Sequence, residues 1–164
     1  MTREEIENLV IEATGRTDKT TLIRQAIDIA LTELSAQRLW SDLQTQAEAT
    51  VTANVPYVAL AADLARLTEV RLIDGTLSRP LLIRPKTWIT ERFPDPESRT
   101  TSRPVYGYVE DRTLWLIPIP DVGYTIRYTY FKLHEALAQS SDEVIIHHAG
   151  PAVAAYASHW VFQS

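Results

Sequence analysis

The chain has 164 residues, 45% of them hydrophobic and 23% charged, which suits a single globular domain with its own core and excludes a disordered chain. It contains no cysteine, which removes disulfide frameworks, thiol nucleophiles and thiolate metal sites. The net charge of -5 is unevenly spread: residues 1–65 carry five Lys/Arg against ten Asp/Glu, residues 66–103 eight against five, and residues 104–164 three against six. An acidic chain with a mildly basic middle is a poor candidate for tight DNA binding, although weak attraction suits a surface that DNA slides past.

Thr2 and Glu5 have the spacing of a capping box. Ile6, Leu9, Val10 and Ala13 then share one helical face, and Gly15 is placed to end the helix. This acidic, amphipathic start lacks the basic start and apolar run of a signal peptide, so the expectation is assembly in the cytoplasm of the cell that makes it. Asp18 or Thr20 is placed to cap a second helix, whose apolar residues Ile23, Ala26, Ile27, Ala30, Leu31 and Leu34 keep the helical period to about Leu39 and Trp40. The two form a helical hairpin.

From Ala47 the period changes to two: Ala47, Ala49, Val51, Ala53, Val55 and Tyr57 alternate with polar residues, as in a half-buried strand. Leu67 to Ile73 and Leu77 to Ile83 flank Asp74-Gly75, a hairpin dipeptide. Arg79, Leu81 and Ile83 continue on one face, and Pro80 argues for a sheet edge. Pro85 to Phe93 fits a short helix, and Pro94-Asp95-Pro96 to Arg103-Pro104 an irregular loop. Val105 to Val109, Leu114 to Ile119 and Tyr124 to Phe131 predict a three-stranded meander, with Tyr124, Ile126, Tyr128 and Tyr130 on one face. Ser141 and Asp142 are placed to cap a closing helix from Glu143 toward Phe162 that Gly150-Pro151 kinks or restarts.

This order predicts an α+β fold: an N-terminal helical hairpin and a C-terminal helix packed together, with an antiparallel β-sandwich-like insertion. The expected layout is one domain over 1–164, with a helical part at 2–41 and 142–163 and a β part at 45–133. The apolar end of the last helix, Tyr156, Trp160, Val161 and Phe162, needs cover from the hairpin or from another polypeptide.

Catalytic chemistry is not evident. His147 and His148 point about 100° apart on a helix and cannot chelate as an i, i+4 pair would, and His148 and His159 lie too far apart to share a metal. Asp42, Glu48 and Asp63 have no spacing that gathers them. No serine elbow or phosphate-binding glycine loop is present. The expectation is a non-enzyme without metal or cofactor. Arg79, Arg84 and Lys86 form the densest basic group, read either as a solvated edge strand or as contact with a neighbouring subunit, an acidic partner or DNA.

Val55-Pro-Tyr-Val-Ala-Leu-Ala-Ala-Asp63, followed by Leu67-Thr-Glu-Val-Arg-Leu-Ile-Asp-Gly75, resembles the head-to-tail adaptor (connector) family of tailed bacteriophages. In that family a strand ends in a Tyr-x-Leu-Pro-x-Asp-like turn before a Val-x-x-Val-x-Val strand. Tyr57, Leu60 and Asp63 match, whereas Ala61 stands where proline is usual, which predicts a looser turn. Pro94-Asp95-Pro96, Arg103-Pro104-Val105-Tyr106, Leu114-Trp-Leu-Ile-Pro-Ile-Pro-Asp121 and Tyr124-Thr-Ile-Arg-Tyr-Thr-Tyr130 follow in the family's order, so the likeness covers residues 2 to 160.

The resemblance implies a structural virion protein at the neck: a dodecameric ring beneath the portal protein, joined to tail or nozzle proteins below. DNA would pass without specific binding, and no membrane is involved. It also implies that the C-terminal end, Tyr156 to Phe162, grips the portal. The acidic helices suit the channel wall and the sheet the outside. Two alternatives remain within reach of the sequence: another neck or tail-completion protein, and a β-sandwich module binding sugar or peptide through Trp88, Trp115 and Tyr128. A hydrolase with an unrecognised site is the third.

Overall fold

The structure is a computed structural model and describes residues 1–94, 100–146 and 148–163. Asp95 and Pro96 of the expected loop, and His147, lie outside the described residues. The fold is α+β, and the chain divides into two compact units, Met1–Gln44 with Lys132–Ser164, and Thr45–Phe131.

In the helical unit, α1 (Arg3–Thr14) opens on the expected capping box. The Glu5 N–H donates to Thr2 Oγ1 at 3.3 Å and the Thr2 N–H to Glu5 Oε2 at 2.9 Å. The helix ends at Gly15, which takes a left-handed φ of 67° that a side chain would strain. α2 (Thr20–Gln37) buries Ile23, Ala26, Ile27, Ala30 and Leu31 as the period requires. Neither expected cap is used: Thr20 is already helical, and Asp18 accepts from the Arg16 guanidinium at 3.2 Å. The helix stops three residues short of Trp40, whose indole N–H turns back to donate to the Leu34 carbonyl at 2.8 Å.

The closing helix is shorter than the sequence suggests: α4 spans Gly150–Phe162, and Glu143 does not start it. Ser141 and Asp142 do not cap it either. Their loop serves α1 instead, the carbonyls of Ser140 and Asp142 accepting from the Glu4 and Arg3 N–H groups at 3.1 and 2.8 Å. These are the donors that a first helical turn leaves unpaired. Residues 143–146 are non-helical, with the Val144 N–H donating to the Met1 carbonyl at 3.1 Å and Ile146 buried. Pro151 falls in the first turn of α4, where its missing N–H breaks no bond, so Gly150-Pro151 starts a helix and kinks nothing. Ile6, Val10, Ile27, Leu31, Val153, Ala157 and Val161 form one core, each large aliphatic contributing roughly 1.5–3 kcal/mol on burial.

Two buried polar side chains fasten this unit. The Arg3 guanidinium, 7% exposed, donates to the carbonyls of Leu137 and Ala138 and to Glu7, which also accepts from Arg24 at 2.9 Å. His134 Nε2 accepts from the Ile145 N–H at 3.0 Å, so its proton sits on Nδ1, which donates to the Glu135 carbonyl at 2.6 Å.

The β unit holds two four-stranded sheets, ordered β1-β8-β3-β4 and β2-β7-β6-β5. The strands are β1 (Gln44–Val51), β2 (Tyr57–Ala59), β3 (Leu64–Asp74), β4 (Leu77–Pro80), β5 (Leu82–Ile83), β6 (Tyr106–Glu110), β7 (Thr113–Ile117) and β8 (Tyr124–Lys132), with α3 (Lys86–Arg92) after β5. The alternating run 47–57 is not one strand. A turn at Thr52–Val55, with Asn54 at a φ of 63°, sends β1 and β2 to different sheets while the alternation of residue types continues through it.

The β3–β4 hairpin turns at Gly75, φ 57°, and Pro80 lies on the edge strand as expected. Leu77 to Ile83 is likewise divided. The Leu81 N–H donates to Val70 of one sheet, and the Leu82 N–H to Val105 beside the other, each at 2.9 Å. The meander is also corrected: β6 and β7 form a hairpin, but β8 crosses to lie between β1 and β3. The pairing of β5 with β6 is parallel.

The two sheets share one core. Tyr124, Ile126, Tyr128 and Tyr130 of β8 meet Val51, Val70, Leu72, Leu114 and Leu116 there. The buried phenols keep partners: Tyr124 donates to Asp121 at 2.6 Å, Tyr130 to Asp63 at 3.0 Å, and Tyr128 accepts from the Ala61 N–H at 3.0 Å. Burial, then the neighbouring carboxylate, pushes the hydroxyls of Tyr124 and Tyr130 up to about 12. The turn after β2 is therefore fastened and not loose. Ala61 supplies an N–H that a proline would lack.

Candidate functional site

The end of α4 presents the first candidate surface. Val153, Ala157 and Val161 recur every four residues and close the inner face, which leaves Trp160 44% and Phe162 66% exposed. Val161 is 1% exposed and belongs to the core of the helical unit. Tyr156 is half-buried, and its hydroxyl donates to the Glu33 carboxylate on α2. That bond, with burial adding to it, holds the phenol above its usual pKa. Leu39, past the end of α2, is another large apolar side chain left 49% exposed.

The basic group is divided by the fold. Arg79 lies on the edge strand β4 of one sheet, whereas Arg84 and Lys86 follow β5 of the other. Arg84 sits over the Trp88 ring at 5.6 Å from its centroid. Lys86 lies 5.8 Å from the Tyr108 centroid and bonds both carboxylate oxygens of Glu110 at 2.7 Å, the main cause of its raised pKa. These cations flank aromatic rings.

Those rings form a feature the sequence reading missed. Register places Tyr57 of β2 opposite Trp115 of β7, and Trp115 opposite Tyr108 of β6. The rings touch in a row, with centroids 5.3 and 6.0 Å apart. Beside them Trp88 and Phe93 close over Tyr106. The alternation of Tyr106, Tyr108 and Trp115 with buried Gly107, Leu114 and Leu116 puts the aromatics on the face opposite the core. Alternation was visible in the sequence, but the cross-strand register was not. Tyr128 faces the core at 3% exposure and takes no part in the row.

Titratable side chains among the described residues are engaged in local pairs. Among the described residues no group of three or more His, Cys, Asp or Glu side chains is placed to hold a metal ion. One hollow is lined by His134, Glu135, Asp142 and Glu143, but both ring nitrogens of His134 are committed to backbone groups. No helix of the described residues is long and apolar enough to cross a membrane. What the chain offers is contact surface: an apolar helix end and a cation-flanked aromatic row.

The sequence matches the SU10 adaptor protein family over residues 1–163. The chain belongs to that family. A search of curated proteins finds no match. As an SU10 adaptor it is a bacteriophage structural protein and a component of the virion, associated with other virion proteins. The adaptor match runs through both units, so neither the helices nor the sandwich is foreign to the family.

Proposed function

We propose that this adaptor forms a ring beneath the portal at the phage neck, with Trp160 and Phe162 of α4 seated in the portal protein, tail or nozzle proteins bound below, and DNA passing through without specific contacts. Both units then act together as one adaptor subunit, and the chain catalyses nothing. The observation that carries the reading is the pair of large apolar side chains, 44% and 66% exposed, that flank the buried Val161 on the last turn of α4. Surface aromatics of this size are typical anchors of protein interfaces. A dodecamer matches the family likeness, and Arg79, Arg84 and Lys86 serve as subunit contacts. The helical unit supports the channel assignment, because its six Lys/Arg against eleven Asp/Glu repel a polyanion, whereas the β unit has ten of each.

Mass measurement of the purified chain with its phage's portal protein tests this. The expected result is a complex with one adaptor per portal subunit, lost in the Trp160→Ser, Phe162→Ser double variant while its thermal unfolding stays within about 0.5 kcal/mol of the parent. Failure of the parent chain to bind portal, or undiminished binding by the variant, overturns the proposal.

A further inference from the structure

The aromatic row on β2, β7 and β6 is only partly covered by its own chain: α3 closes the Tyr106 end, and Tyr57 at the other end is 51% exposed. Its rim carries charges of both signs, Arg84, Lys86 and Arg92 with Glu91 and Glu110. Lys86 is shared with Glu110, but among the described residues Arg84 has no ion-pair partner and only the Trp88 ring beneath it.

The helical unit offers a complementary surface. α1 carries Arg3 against Glu4, Glu5, Glu7 and Glu12. Leu9 does not join the buried Ile6 and Val10 as its spacing suggested: Glu5, Leu9 and Glu12 fall at i, i+4 and i+7 on the outward face, all exposed, with Leu9 at 38%. An apolar side chain one turn from the Glu12 carboxylate matches an aromatic row with Arg84 at its edge.

From this fit we infer that the Glu5–Leu9–Glu12 face of α1 in one copy docks on the Tyr57–Trp115–Tyr108 row of the next, its Glu12 carboxylate facing Arg84. The contact joins two different surfaces, so it repeats head to tail, the kind of contact that closes a ring when the rotation is right. Charge sets the register of the two faces, and the buried aromatics supply most of the affinity. The inference rests on the ring reading and names the surfaces that would build the ring.

Sedimentation velocity of the full chain at rising concentration tests it, with three variants at exposed positions: Arg84→Glu, Glu12→Arg and Tyr57→Ala. The parent is expected to self-associate, and each variant to weaken association by about tenfold or more. Mixing the Arg84→Glu and Glu12→Arg chains should restore assembly, because an acidic row then meets a basic helix. Association that survives both reversals, or a mixture that stays dissociated, refutes this interface and leaves a ring built through other faces. A parent chain that stays monomeric at every concentration and on the portal removes the ring and this contact together.

Discussion

The helical unit is fastened by charged and polar side chains that reach between distant parts of the chain, whereas the β unit is fastened by tyrosines on one strand. Arg3 reaches carbonyls more than 130 residues away, and His134 ties the two arms of the stretch that precedes α4. In the β unit Tyr124, Tyr128 and Tyr130 of β8 each anchor a neighbouring turn by a hydroxyl. The difference follows from chain order. A unit assembled from both ends of the sequence must hold together pieces that no local turn connects, and a buried guanidinium can satisfy several carbonyls at once. A unit made from one continuous stretch is joined by its strand ladders, the β3–β4 and β6–β7 hairpins among them, and its tyrosines pin the turns between strands.

The largest expected effect separates the two units. Ile27→Ala in the helical core and Ile126→Ala in the β core should each cost about 4 kcal/mol, since both side chains are fully buried. Hydrogen exchange should then rise only in the unit carrying the change; equal loss of protection in both would show one cooperative structure. Arg3→Met should cost about 3 kcal/mol in urea unfolding, because it strands the Leu137 and Ala138 carbonyls and half of the Glu7 pairing. A loss under 1 kcal/mol would mean that packing alone joins the ends.

The smallest effect is a titration of the β unit. Its two phenols near 12 sit above the unfolded value of 10, so the stability they contribute is complete below pH 10 and is lost as the pH rises through about 12. The expected loss is on the order of 1 kcal/mol per tyrosine at pH 11. Tyrosinate absorbance should rise together with exchange in β8, and Tyr124→Phe with Tyr130→Phe should flatten the dependence. Alkaline loosening confined to the helical unit would contradict the assignment.

Elements stabilised by near neighbours were legible in the sequence. The capping box, both helices of the hairpin, the Asp74-Gly75 turn and the inward face of β8 all follow from spacings of two to four residues. Misreadings fell where a distant partner decides. Residues 143–146 have helical company on their C-terminal side, but the N-terminal residues claim Val144 and the preceding loop. The runs 47–57 and 77–83 keep strand-like composition through points where the chain changes sheets. The exposed end of α4 was visible as an excess of apolar residues, but only the packed helix shows that Val161 points inward and Phe162 outward. The aromatic row needed a strand register that spans nearly sixty residues.

The chain departs from the helices along β1 and comes back along β8, and these two strands are immediate neighbours in one sheet. Both links between the units therefore run through neighbouring strands of one sheet, and the β unit is an insertion in the sequence of the helical one. An insertion joined in this way can be replaced, and with it whatever it touches, while the sequence on either side is kept.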